Sequence, residues 1–195
     1  MANHVHTAVN FYNMNDAAKK KLKEFYSKVR QDGNYKWFSD MFVSDELPYE
    51  ELEKYDWTIN NIGPKWCYFE DYDDDYFVTE SAWDSPIPGI EMLLAELSKV
   101  DPDFITTIRY EDEMPNFVGA VVYKGDAEMD YRQDEFEEIV QIAEGLYPKE
   151  LGEKFDYDEM DWKDDEARDF FWEVEWEIIN DLQDDFITEV LEDIK

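Results

Sequence analysis

Two histidines, one cysteine and a dense population of carboxylates are the side chains here with reactive or ligating chemistry. His4 and His6 stand two apart in an alternating segment, and residues i and i+2 of a strand share a face, which suits a pair of metal ligands. With Met1 removed, Ala2-Asn3-His4 would also suit an amino-terminal Cu(II) or Ni(II) chelate. A solvated strand face accounts for the pair equally well, so no metal or other cofactor is expected. Asp71, Asp73 and Asp75 open like a calcium loop, but Tyr76 stands at its sixth position instead of glycine. Ala82 stands at its twelfth instead of glutamate, so residues 71–75 are read as a solvated hairpin tip. Cys67 has no second cysteine and no histidine nearby in sequence, and no glycine-rich phosphate loop occurs. No residue is assigned a catalytic role, and a binding protein is expected, not an enzyme.

The carboxylates have an order of their own. Asp165, Asp169, Glu173, Glu177, Asp181, Asp185, Glu189 and Asp193 recur every fourth residue. On a helix such residues are neighbours, and like charges there repel by about 0.2–0.5 kcal/mol per pair. A row tolerated at that cost either confers solubility or presents negative charge to a partner. An apolar row, Phe170, Val174, Ile178, Leu182, Phe186, Val190 and Ile194, has the same period. A helix turns about 100° per residue, so a four-residue row drifts about 40° per step and roughly 240° over six steps. A straight helix cannot lay that row on a flat sheet. Either the helix meets different neighbours along its length or it breaks, and a break or bend near Asn180-Asp181 is the expectation.

The elements that position these groups follow from pattern. Residues 4–12 alternate as a strand, and Asn13-Met14-Asn15-Asp16 supplies a helix N-cap. Residues 17–30 carry Leu22, Phe25, Tyr26 and Val29 on one helical stripe before Asp32-Gly33-Asn34. Residues 35–63 are irregular and aromatic, with a short helix expected over 49–54. Strands are expected over 65–70 and 76–83, a helix from Pro86-Ile87-Pro88 to Asp101-Pro102, and strands over 104–110 and 117–124, joined through Met114-Pro115-Asn116. Helices are then expected over 134–146 and from Asp164 to the end, with 149–163 lacking a clear period. The chain is thus read as α+β: a ferredoxin-like antiparallel sheet with packed helices and one added strand, plus an acidic C-terminal helical segment.

Composition limits the partners. The formal charge is −33 over 195 residues, yet 17% of residues are aromatic and 44% apolar, which is too rich for a disordered acidic tail. Direct binding to nucleic acid or an anionic membrane is disfavoured. The start of the chain lacks the basic and apolar regions of a secretion signal, so a soluble, intracellular protein is expected. Charge is uneven. Residues 1–36 are slightly basic through Lys19, Lys20, Lys21, Lys23, Lys28, Arg30 and Lys36, whereas residues 126–195 hold 27 acids and 6 bases. Two regions are therefore drawn: 1–125, carrying the insertion 35–63, and 126–195.

The central motifs are Asn60-Asn61-Ile62-Gly63-Pro64-Lys65-Trp66, then Phe77-Val78-Thr79 leading to Ala82-Trp83-Asp84-Ser85-Pro86. Tyr110-Glu111-Asp112-Glu113 and Phe117-Val118-Gly119 follow. In this order they resemble the YubB ferredoxin-like family of plasmid and bacteriophage proteins, over about residues 4–125. Ile62 stands where that family has a tryptophan, and Glu80-Ser81 intervene before Ala82-Trp83. The resemblance implies a ferredoxin-like fold and a mobile-element origin, and it brings no catalytic assignment. On physical grounds Trp66 and Trp83 are expected in the core on adjacent strands, with Gly63 in a loop and Gly119 at a close approach. Trp172 and Trp176 lie off the apolar row and are expected to be buried against the body; exposed, they would be typical interface anchors.

The functional expectation is a phage-encoded DNA mimic that engages a host protein with a basic nucleic-acid-binding surface. Its partner-binding residues would be Asp71, Asp73, Asp74 and Asp75 of the tip, Asp156, Asp158, Glu159 and Asp161, and the eight acids of the row. Two alternatives stand beside it. One is a solvated acidic accessory protein without mimicry. The other is a regulatory module whose acidic segment masks the basic helix. Oligomeric state is not legible.

Overall fold

A computed structural model describes residues 3–114 and 116–194. Ala2 and Pro115, invoked above for a chelate and a turn, lie outside the described residues. Strand β1 (His4–Tyr12) alternates as expected: Val5, Thr7, Val9 and Phe11 are buried against one layer of helices, while His4, His6, Ala8 and Asn10 face the other way. Helix α1 (Asp16–Tyr26) begins where the Asn15 side chain accepts a hydrogen bond from the Ala18 N–H, at 2.9 Å. The insertion then folds into a 3-10 turn (Phe38–Phe42), α2 (Tyr49–Leu52) and an additional helix, α3 (Tyr55–Asn61).

Strands β2 (Cys67–Tyr72) and β3 (Tyr76–Ala82) form the hairpin, α4 (Ile87–Ser98) crosses back, and β4 (Ile105–Asp112) and β5 (Phe117–Lys124) follow. The sheet is antiparallel with order β2-β3-β1-β4-β5-β6. Its first four strands, with α1 and α4 as crossovers, have the ferredoxin-like arrangement. Fully buried Val9, Leu22, Phe38, Phe77, Leu93 and Ile108 belong to the core between that sheet and its two helices.

Within residues 1–125 the one added strand is β5, as expected, and a further strand follows beyond them. Residues 127–135 form β6 (Ala127–Glu135), paired with β5 from Phe117↔Glu135 to Lys124↔Ala127. The expected helix over 134–146 therefore starts later, as α5 (Phe136–Leu146), closed at its start by a reciprocal Glu135–Glu138 capping box. The line drawn at 125 is crossed by this β5–β6 ladder. Residues 149–163 contain two short strands, β7 (Phe155–Asp156) and β8 (Asp161–Trp162).

Helix α6 (Asp165–Asp193) is unbroken over 29 residues, so the break expected at Asn180-Asp181 is absent. Its neighbours change along its length instead. Ala167, Phe171, Ile178 and Ile179 pack with α5, Leu151, Phe155, Trp162 and Val118, whereas Ile187 and Val190 pack on Ala120 and Val122 of β5. The inward-facing row was missed in the sequence: Ala167, Phe171, Glu175, Ile179, Gln183 and Ile187, all buried and four residues apart. Two polar members disguise it. Ala120 lies opposite Arg109, and Arg109 opposite Ala8, so α6 occupies the sheet face away from α1 and α4.

Candidate functional site

The acidic row sits two residues out of phase with the buried row. Two residues rotate about 200° around a helix, so the acids ride on the back of α6 wherever its inward face turns. All eight are exposed. Asp165 and Asp169 lie 2.9 and 3.7 Å from Arg168, and the other six have no basic partner among the described residues. Asp156, Asp158, Glu159 and Asp161 form the β7–β8 turn that leads into α6, with Asp156 Oδ1 accepting from the N–H groups of Asp158 and Glu159.

The hairpin tip is elsewhere. Asp74 pairs with Lys23 of α1 at 2.8 Å, and the proximity of Asp74 and Asp73 holds the Lys23 ammonium above its usual pKa. Asp71 accepts from the Tyr76 hydroxyl at 2.6 Å. The sequence-predicted acids thus divide into a track along α6 with its leading turn and a separate tip beside α1. Three of the four lysines of α1 are met by acids outside the 126–195 segment: Lys20 by Glu24, Lys21 by Glu96 and Lys23 by Asp74.

A second acidic feature was not legible in the sequence. α6 lies along β5 and leaves the β4–β1–β3 part of its sheet face uncovered, so a cleft of about 430 Å³ runs between them. Glu80, Glu111, Asp112, Glu113 and Glu175 line it, and no lysine or arginine does. Glu175 retains 9% of its surface and its carboxylate has no hydrogen bond or ion pair among the described residues. Burial, and then the charge of Glu175, push the Glu111 carboxyl up to about 7; burial also raises Glu175. Asp112 is 5% exposed, and its Oδ2 accepts from Asn3 and Asn116 while its Oδ1 is buried without a partner.

The α6 wall, which carries Glu175, is also aromatic. Trp172 and Trp176 were expected inside, but they are 41% and 57% exposed and flank the cleft one helical turn apart. Trp66 and Trp83 are not core residues either. Trp66 is half-buried, stacks on Tyr68 and meets His4 edge-on, while Trp83 is exposed with φ +66°. Gly119 does mark a close approach, since a Cβ there would come within 2.2 Å of the Tyr110 ring.

At the cleft rim each imidazole has its own carboxylate: His4 Nδ1 bonds Glu80, which also accepts from the Tyr68 hydroxyl, and His6 Nδ1 lies 3.2 Å from Glu70. No group of three or more histidine, cysteine or acidic side chains is arranged to hold a metal among the described residues. Cys67 is buried, which raises its thiol pKa and suppresses the thiolate. The chemistry this arrangement supports is the reception of positive charge, along α6 from solvent and within the cleft from a desolvated wall. No helix among the described residues is long and apolar enough to cross a membrane. No protein-family model matches the chain, and no curated protein matches its sequence.

Proposed function

We propose that this chain is a phage-encoded acidic binding protein that acts in the host cytoplasm as a DNA mimic. In this reading it occupies the basic nucleic-acid-binding surface of a host defence protein and inhibits it. The observation that carries the reading is the exposed back of α6. Eight exposed carboxylates wind about 280° around roughly 42 Å of unbroken helix at about 6 Å rise per step, a continuous helical series of negative charges such as a phosphate backbone also presents. A formal charge of −33 would speed encounter with a basic partner in a salt-dependent way. The β7–β8 turn extends the track at its leading end, and the hairpin tip contributes a second, separate patch.

The test is an affinity capture from host lysate at low and high salt, followed by competition with duplex DNA for whatever is captured. A nucleic-acid-binding protein that binds at low salt, is displaced by DNA and is lost with Glu173→Gln, Glu177→Gln, Asp181→Asn and Asp185→Asn combined would support the proposal. Capture unaffected by both DNA and these four changes would sink it.

A further inference from the structure

We infer that the cleft between α6 and the open sheet face is a binding site for a guanidinium group, carried by an arginine side chain or by a free guanidino compound. This goes beyond the mimicry reading and does not depend on the outward acids of α6.

The cleft is unlike the rest of the acidic surface because it is lined by a carboxylate side chain that is nine-tenths covered and unpaired among the described residues. Glu175 belongs to the buried row of α6, nine-tenths covered, with no donor satisfying its carboxylate. A buried ion without a partner is costly, and its usual compensation is an opposite charge with directed hydrogen bonds. Glu111 stands across the cleft, near enough for the charge of Glu175 to act on it. The nearest histidines do not fill the role, being bonded to Glu80 and Glu70.

The shape and the tryptophans that flank Glu175 on α6 favour guanidinium over other cations. Trp172 and Trp176 expose indole surface beside the carboxylates, and a cation over an indole face is attracted by its quadrupole. Guanidinium is planar, weakly hydrated and able to stack on an aromatic ring while donating two parallel hydrogen bonds to a carboxylate. An ammonium is more strongly hydrated and gains less from leaving water. A volume of about 430 Å³ accommodates the group with its alkyl stem.

The experiment titrates the full chain with three singly charged probes, N-acetyl-arginine amide, methylguanidine and N-acetyl-lysine amide, and with the uncharged N-acetyl-citrulline amide. Binding is followed through the indole N–H resonances of Trp172 and Trp176, assigned with Trp172→Phe and Trp176→Phe. Saturable shifts of both resonances with the guanidinium probes, and none with the citrulline probe, are expected. Glu175→Gln should weaken binding about tenfold or more, while Glu189→Gln on the outer back should leave it unchanged. Tighter binding of the arginine amide identifies a side chain as the natural source, and tighter binding of methylguanidine a free compound; a lysine amide that binds as tightly as either would overturn the guanidinium assignment. Absence of saturable shifts, equal response to the citrulline probe, or equal loss in the Glu175 and Glu189 variants would overturn the inference. Glu175→Gln leaves the eight outward acids intact, so failure here is separable from failure of the lysate capture.

Discussion

Glu111 of β4 and Glu175 of α6 face each other across the cleft, each without an ion-pair partner among the described residues, and the charge of Glu175 raises the Glu111 pKa. Burial is the larger cause for Glu111. Holding two such carboxyls together is a cost that the fold carries at neutral pH.

That cost has a pH signature. An unfolded glutamate titrates near 4.5, whereas folded Glu111 titrates at about 7. Below 4.5 both states hold the proton and the site makes no difference. Between 4.5 and 7 the folded state keeps a proton that the unfolded chain has released, so stability falls as pH rises, and the loss is complete above 7. With solvent screening discounted, the loss is on the order of 1–2 kcal/mol. Urea denaturation of wild type and Glu111→Gln from pH 4.5 to 8 should give curves that diverge across this window. Parallel curves would show that the carboxyl is not perturbed.

Gln183 tethers α6 to the sheet. Its buried side-chain amide donates to the carbonyls of Tyr110 and Gly119, at 3.2 and 3.0 Å. Gln183→Ala should cost about 2 kcal/mol through lost buried hydrogen bonds and an unfilled space. Thr188→Ala, at an exposed position of the same helix, should stay within about 0.5 kcal/mol. Chemical denaturation distinguishes the two.

Two glycines should respond to alanine with opposite signs. At Gly119 a Cβ meets the Tyr110 ring at 2.2 Å, and Tyr110 is held by hydrogen bonds to Tyr131 and Gln133. Overpacking of about 1–3 kcal/mol is expected. Gly145 lies in α5 with nothing within 4 Å of a Cβ, so Gly145→Ala should stabilise by about 0.5–1 kcal/mol. Melting temperatures of the pair check both directions.

The outward row stores repulsion that salt should relieve. Glu177→Gln with Asp181→Asn removes like-charge contacts at i, i+4, each worth about 0.2–0.5 kcal/mol. The variant should melt slightly higher than wild type in low salt, with the gap closing as salt is raised. A gap that persists in high salt would point to a cause other than charge.

What could be read from the sequence was whatever carried its own periodicity. The alternation of Val5, Val9 and Phe11, the stripe Ile90, Leu93, Leu94 and Leu97, and the cap at Asn15 are local signals, and each became the expected element. β6 has no such signal because polar residues fall on both faces, Asp130, Arg132 and Asp134 on one and Gln133 and Glu135 on the other; it is a strand through its pairing with β5. The expected break in α6 came from following the apolar row alone. The true inward row includes Glu175 and Gln183, whose polarity hid it. The cleft gathers residues from β1, β3, β4 and α6, so only topology brings them together. The remaining hint was that Trp172 and Trp176 stood off the apolar row.

The half-turn offset between the two rows of α6 separates what the helix holds from what it shows. Substitutions at 165, 169, 173 and onward change the lettering on the outside of a rod whose inner contacts are made by other residues. Recognition can therefore drift, sharpen or invert in sign along that rod while the folding instructions stay the same.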